Sequence, residues 1–253
     1  DQLDNLKKYG NKVDYLTFVA TGEPTIDINL EKMLDLMSDL PFKTAVISNA
    51  SLITRGDVRK ALSKADWVSL KVDSVDYTIW REIDRPHKNL ELAKILEGIK
   101  LFSREYLGTL VTETMLVKDI NDDERSLSYV AKFLGEINPA VAYISIPVRP
   151  PAEKRVICPD EEKINLAYQI FSQKVDCVEY LTGYEGNAFA STGCAEKDLL
   201  SITSVHPMRE EAVRELLAKC QAQWSVVEKL IQDQSLVEVD YNSEKYYVRK
   251  TGR

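Results

Sequence analysis

The sequence predicts an α/β protein with parallel strands, a β/α barrel or an open doubly wound sheet, followed by a small helical domain that closes on a hairpin. Three observations carry this. Short apolar, β-rich runs alternate with helical patterns through most of the chain. Each run ends in a polar or turn-forming cluster, and the intervals between runs are long enough to hold a helix. Strands joined in that way must be parallel, because a tight hairpin cannot return the chain to the same edge. From about residue 195 the texture changes to closely spaced helices and then to alternating apolar positions.

Residues 2–9 read as the end of a helix, stopped by Gly10-Asn11. Tyr15–Ala20 is the first strand, broken by Thr21-Gly22-Glu23-Pro24-Thr25. Over 29–38, Leu30, Met33, Leu34 and Met37 share one helical face. Residues 43–48 form the second strand, 54–64 a helix with Val58, Ala61 and Leu62 inward, and 67–72 the third strand, closed by Asp73-Ser74. A longer connection, 75–90, precedes a helix at 91–103. Residues 108–117 make the fourth strand, 124–136 a helix, 140–146 the fifth strand and 160–173 another helix. The strands are apolar at nearly every position, as when both faces are buried. The stretch 174–196 reads as a connection that is too apolar for a flexible linker. Helices at 197–204, 208–220 and 224–232, then Val237, Val239 and Tyr241 alternating, a turn at Asn242-Ser243, and Tyr246 and Val248 alternating back, give a winged-helix order. The expected domains are therefore 1–196 and 197–253.

A chain of 253 residues suits one large domain and one small one. A net charge of −7 argues against a general nucleic-acid binder. No run of about 18 apolar residues exists and no signal peptide is visible, so a cytoplasmic protein is expected, with no membrane partner. The chain starts at Asp1 within a helical pattern, from which missing upstream residues are expected. Cys158, Cys177, Cys194 and Cys220 form no CxxC-type clip, so no metal site is expected from them and free thiols are the simple reading.

In β/α folds ligands gather at the carboxyl ends of the strands. Glu23, Asn49, Asp73, Glu113 and Arg149 stand there: three carboxylates, an amide and a guanidinium around one mouth, suited to a ligand with an amine, a carboxylate and hydroxyls.

The wording around these residues resembles a known family. Thr21-Gly22-Glu23-Pro24-Thr25 resembles the Gly-Glu-Pro turn after the second strand of radical S-adenosylmethionine (SAM) enzymes, and Ser48-Asn49 the end of their third strand. Asp84-Arg85-Pro86-His87, Met115-Leu116-Val117 with Ile120-Asn121-Asp122, and Ile146-Pro147 through Arg149-Pro150-Pro151-Ala152-Glu153 resemble stretches of the Fe–S oxidoreductase subgroup related to the wyosine-tRNA enzymes. Gly183-Tyr184-Glu185-Gly186 and Val205-His206-Pro207-Met208-Arg209-Glu210 fit the C-terminal region of that subgroup. The Gly-Glu-Pro turn alone is unspecific; the ordered set is specific.

The resemblance implies a partial (β/α)6-type radical SAM barrel lacking its first strand, with a winged-helix-like tail. It implies an enzyme that cuts SAM reductively to a 5′-deoxyadenosyl radical, using a 4Fe-4S cluster held by CxxxCxxC and an electron donor such as flavodoxin or ferredoxin. That cysteine segment is not in this sequence, so neither cofactor is expected to bind it fully. By analogy Gly22 and Glu23 would receive the SAM amine, with Pro24 beside them among the cofactor-binding residues, and Ser48, Asn49 and Asp73 would face its carboxylate or ribose. Glu113 would reach the ribose, and Ile144 and Ile146 would flank the adenine. Lys71 stands where relatives often carry Ser. Arg85, His87 and Arg149 are candidates for an unidentified substrate; no catalytic residue is assigned.

Simpler readings stand beside these. His87 suits an exposed loop, His206 a helix start, Arg149 a pair with Glu153, and Asp122-Asp123-Glu124 a helix N-terminus. Two other functions compete: a tRNA-modifying, wyosine-like enzyme, which needs a basic surface, and a regulatory or DNA-binding protein that uses the tail. The tail 197–253 carries nine Lys/Arg and nine Asp/Glu, so it is read as a structural or protein-docking module, without DNA binding.

Overall fold

The structure, a computed structural model, describes residues 13–250 except 20, 21, 152, 154, 182–186, 188, 190, 205 and 242. The readings at residues 2–9, Gly10-Asn11, Gly183 to Gly186 and the first residue of the Gly-Glu-Pro turn, Thr21, lie outside the described residues. These fall in two compact units. One holds 14–148 and 153–183; the other holds Val13, 149–151 and the described residues from 187 on.

The first unit is a six-stranded parallel sheet in the order β1 (Tyr15–Phe18), β2 (Lys43–Ser48), β3 (Trp67–Lys71), β4 (Thr109–Met115), β5 (Val141–Ser145) and β6 (Val178–Leu181). Spatial order equals chain order, with no reversal. Right-handed crossovers that always step the same way leave every helix on one face. A doubly wound sheet, which needs a point of reversal, is thereby excluded, and the architecture is that of a partial barrel.

The helices are α1 (Leu30–Met37), α2 (Gly56–Leu62), α3 (Tyr77–Ile83), α4 (Leu92–Glu105), α5 (Glu124–Ile137) and α6 (Glu161–Phe171). Their apolar stripes meet Val46, Val68, Leu70, Leu110, Ala142 and Ile144 of the strands in one continuous core. Successive strand residues point to opposite faces. Ala45 and Val111 are buried on the other, inner face and stand outside that core cluster. On this inner face the register aligns Ile47 with Ser69, Lys71 with Glu113, Glu113 with Tyr143, and Met115 with Ser145.

Three details differ from the sequence reading. The expectation of strands buried on both faces fails at β1 and β2, where Tyr15 and Ile47 are 41% and 39% exposed, and at Val19, just past β1, which is 49% exposed. The connection 75–90 contains α3, started by Asp76, whose carboxylate accepts from the amides of Thr78 and Ile79. The connection 174–196 contains β6, of which only Val178 is buried.

The second unit contains α7 (Ala195–Ile202), β7 (Met208–Arg209), α8 (Glu210–Lys219), α9 (Ser225–Gln232) and the hairpin β8 (Leu236–Tyr241) and β9 (Glu244–Arg249). The strands form an antiparallel sheet in the order β7-β9-β8. Leu199, Met208, Val213, Leu216, Val227 and Tyr247 form its core. Asp198 accepts from Thr192 N, Thr192 Oγ1 and Ser191 Oγ, and Lys219 donates to Phe189 O, so this unit reaches upstream of residue 197.

Candidate functional site

The site begins with a carboxylate that is already occupied. Glu23 is 6% exposed and opens the short 3-10 turn Pro24–Ile26. Its Oε1 accepts from Thr25 N, Thr25 Oγ1 and Ser48 Oγ at 3.0, 2.7 and 2.7 Å, and its Oε2 accepts from Asn49 N at 2.7 Å. Four donors satisfy both oxygens. Glu23 is thus a brace between the turn after β1 and the end of β2, and its side chain is committed to the protein. Pro24 is buried as the first residue of the 3-10 turn and also borders a neighbouring recess with Phe18, Asp27 and Met33.

This brace shapes one wall of a cavity of about 210 Å³, lined by Val19, Gly22, Glu23, Ile47, Ser48, Asn49, Ser69, Lys71 and Glu113. Five of the expected residues meet here: Gly22, Glu23, Ser48, Asn49 and Glu113. Lys71 and Ser69 join them from the inner face of β3, and both follow from strand alternation once the register is known. A Cβ built on Gly22 would meet nothing within 4 Å, so the wall is open at that point. Glu113 accepts from Ser145 Oγ at 2.8 Å, which fixes one of its oxygens.

Asp73 does not line this cavity. It is 2% exposed, beneath the rim. Its Oδ1 accepts from Met115 N at 2.8 Å, and its Oδ2 makes an ion pair with Lys71 Nζ at 3.3 Å but has no hydrogen bond. Burial lowers the Lys71 pKa, but the charges of Asp73, Glu113 and Asp84 outweigh it and the net direction is upward. Burial raises the Asp73 pKa against the opposing effects of Lys71 and the Met115 amide. Asp84, which caps the end of α3, was named in the sequence only within the Asp84-Arg85-Pro86-His87 stretch and given no role; burial and then the Asp73 charge push it up to about 8. Asn121 braces this region, donating to Asp73 O and Met115 O, both at 2.9 Å, and accepting from Val117 N at 2.8 Å.

The remaining candidates are elsewhere. Ile144 is wholly buried in the helix-side core, because its neighbours Tyr143 and Ser145 take the inner face; the adenine contact expected of it is corrected accordingly. Ile146 borders a separate recess of about 500 Å³ with Cys158, Pro159, Ile164, Asn165 and Tyr180. Arg85 is exposed and paired with Glu153, the partner the sequence suggested for Arg149. His87 is exposed, and its Nδ1 accepts from Asn89 N at 3.3 Å. Arg149 is half-buried and belongs to the second unit. His206 stacks edge-on to Phe189. Asp123 caps α5.

The cavity presents an ammonium group, a carboxylate, an amide and a hydroxyl. That donor set matches the carboxylate, ribose hydroxyls and polar edges of a nucleoside-linked amino acid. It does not match an iron–sulfur cluster. Cys158, Cys177, Cys194 and Cys220 are free thiols, and among the described residues no three His, Cys, Asp or Glu are grouped to hold a metal. No step through a cluster is derived from these residues. No helix among the described residues is long and apolar enough to cross a membrane.

Comparison with known proteins places this arrangement. The model of the radical SAM superfamily matches residues 1–129. A UPF0026 protein of Methanocaldococcus jannaschii is 44% identical over 245 residues, 96% of this chain and 76% of that protein. A UPF0026 protein of Helicobacter pylori strain J99 is 32% identical over 203 residues, 79% of this chain and 64% of that protein. A crystal structure of a domain of pyruvate-formate lyase-activating enzyme from Bacteroides vulgatus superposes with a TM-score of 0.53 at 18% identity, covering 66% of this chain and 98% of that one, a likeness of fold.

Proposed function

This chain belongs to the radical SAM superfamily, and we propose that the cavity at the ends of β1 to β4 is its SAM site, within an enzyme that cleaves SAM to a 5′-deoxyadenosyl radical. The superfamily works with SAM and a 4Fe-4S cluster; the cluster would supply an electron for the cleavage, and no described residues of this chain are grouped to hold it. The single observation that carries the reading is the meeting of Lys71 and Glu113 with the braced Gly22–Glu23 and Ser48–Asn49 turns around one space.

The chain's own residues have separable tasks. Glu23 holds the two turns at a fixed distance, so that Gly22 can present bare backbone to the ligand amine. Lys71 faces the ligand carboxylate, helped by Ser69 and Asn49. Glu113, oriented by Ser145, accepts from the ribose hydroxyls. Asp73 acts from beneath as the counter-charge of Lys71. An adenine contact with Ile146 would need the ligand to extend to the recess that Ile146 borders; Arg85, His87 and Arg149 stay as candidates for an unidentified substrate, with Arg85 available only if its pair with Glu153 opens. A protein reductant such as flavodoxin or ferredoxin is part of the same proposal.

The finer placement, beside the wyosine-related Fe–S oxidoreductases, rests on the Met115-Leu116-Val117 and Arg149-Pro150-Pro151 stretches. The order helix, strand, helix, helix, hairpin supports reading the second unit as winged-helix-like, a docking or structural module. Neither tRNA modification nor DNA regulation is favoured, since both need a basic surface that a chain of net charge −7 does not supply.

The test is SAM binding by isothermal titration calorimetry, with Lys71→Ala and Glu113→Gln as variants. Each is expected to weaken binding at least about tenfold, the loss of one charge-assisted contact. Wild-type affinity in both variants, or no binding by the parent protein, would remove the cavity from consideration.

A further inference from the structure

Beneath the cavity lies an arrangement that the binding reading does not use. Asp73 Oδ2 is fully buried and lacks a hydrogen-bond donor, and its ion pair with Lys71 at 3.3 Å is not in hydrogen-bonding geometry. A buried polar atom in that condition calls for a partner. Asp84, at the end of α3, is the carboxyl whose interaction with Asp73 can supply one. Two ionised carboxylates cannot share that space without strong repulsion, whereas one proton between them turns the contact into a hydrogen bond.

The turn that carries Asp84 is held in place from outside. Arg155 pairs with Glu82 at 2.6 Å, and Arg85 pairs with Glu153, so two residues flanking Asp84 are tied to Glu153 and Arg155. Arg85 has φ +46°, a left-handed conformation costly for an arginine, directly before Pro86. Glu82 and Arg85 are exposed and engaged by these pairs, whereas Asp84, between them, is half-buried. Burial and the Asp73 charge raise its pKa to about 8, and Lys71 opposes that rise.

We propose that Asp84 is a positioning residue for the cavity: it shares one proton with Asp73, and that proton leaves the Lys71 ammonium free to face an anionic ligand group. The charged groups that meet here are Lys71 from β3, Asp73 from the strand's end, Glu113 from β4 and Asp84 from the end of α3. With the proton in place, Lys71 is opposed from below by a single negative charge. When the proton leaves, a second carboxylate competes for the same ammonium and the ligand carboxylate loses its partner. No bond is made or broken beyond the transfer of this proton to water. The ligand side of the proposal rests on the cavity being the SAM site; the shared proton does not.

Two measurements on the full chain separate these parts. Carboxyl carbon NMR of the ligand-free protein, from pH 4 to 10, is expected to show an aspartate signal titrating far above the ordinary range and lost in Asp84→Asn. If every aspartate titrates in the ordinary range, the shared proton is disproved whatever the protein binds. SAM titrations across pH 6.5 to 9.5 should show wild-type affinity falling several-fold through about pH 8. Asp84→Asn keeps a neutral donor toward Asp73, so its affinity should stay flat. A wild-type profile without that fall, or the same fall in the variant, overturns the positioning role. Absence of SAM binding at every pH overturns the cavity reading and with it the ligand-facing role, and leaves the shared proton to the NMR result.

Discussion

The Asn49 amide donates to Glu23 Oε2 at 2.7 Å, and through that bond the turn after β1 and the end of β2 form one unit of the rim. The other three donors on Glu23 come from Thr25 and Ser48, so the carboxylate is an internal strut. A Glu-Pro pair after a strand therefore carries two jobs here: Pro24 starts the 3-10 turn, and Glu23 ties it down.

Replacing that strut is expected to cost stability before it touches any ligand. Glu23→Gln keeps the shape but sets an amide N–H₂ against groups that are themselves donors. A loss of about 1–3 kcal/mol is expected, the range for buried donors left without an acceptor. Urea unfolding of the purified variant measures it; an unchanged midpoint would show that the four contacts are dispensable.

Asn121 supports a second prediction. Its side chain closes the ends of β3 and β4 through bonds to Asp73 O, Met115 O and Val117 N. Asn121→Ala leaves buried backbone groups unpaired, at about 1–3 kcal/mol. Asn121→Asp should be worse than the usual isosteric exchange, because a carboxylate cannot donate to the two carbonyls. Hydrogen exchange at the amides of Met115 and Val117 is the local readout, and both should exchange faster in each variant.

Much of this was legible in the sequence, and the exceptions have physical reasons. Strands β2 to β5 are apolar runs that end in polar clusters, and β1, β2 and β4 bring Glu23, Asn49 and Glu113 to one cavity. Strand β6 escaped notice because Glu179, Tyr180 and Leu181 are exposed and carry no burial pattern. Helix α3 is two turns long, too short for a periodic signal, and its cap Asp76 stands out only once the helix is seen. The adenine contact expected of Ile144 does not fit the register: Glu113 is paired with Tyr143 on the inner face, so Ile144 points to the helices. The residues flanking Asp84, Glu82 and Arg85, pair with Arg155 and Glu153, about 70 positions away, and a one-dimensional reading cannot supply such contacts.

The acid pair also makes stability depend on pH. The unfolded chain gives up the Asp84 proton near the ordinary value of 3.8, while the folded protein keeps it to about 8. Between those values the folded state binds more protons, so the unfolding free energy falls as pH rises. The contribution is fully present below about pH 4 and is gone above about 8. Chemical denaturation of wild type and Asp84→Asn from pH 5 to 9 isolates it, since titrations common to both cancel in the difference. The wild type should lose stability relative to the variant across this window. A constant difference would show that Asp84 is ionised throughout.

The last prediction concerns the second unit and duplex DNA. If that unit is winged-helix-like, α9 stands where a recognition helix would, and its one basic residue, Lys229, is paired with Glu196 at 3.2 Å. Other cations of the unit are similarly engaged: Arg214 with Glu210 and over the Trp224 ring, and Lys245 with Glu238. Residues 197–253 balance nine basic against nine acidic side chains. Affinity for a duplex comes largely from releasing counterions against lysine and arginine, so a balanced, internally paired surface has little to release. Binding weaker than about 10 μM near physiological salt is expected, with a shallow slope of log affinity against log salt. Fluorescence anisotropy with a labelled random duplex, from 50 to 200 mM salt, tests it. Sub-micromolar binding that collapses across that range would mean that these ion pairs open to meet phosphate.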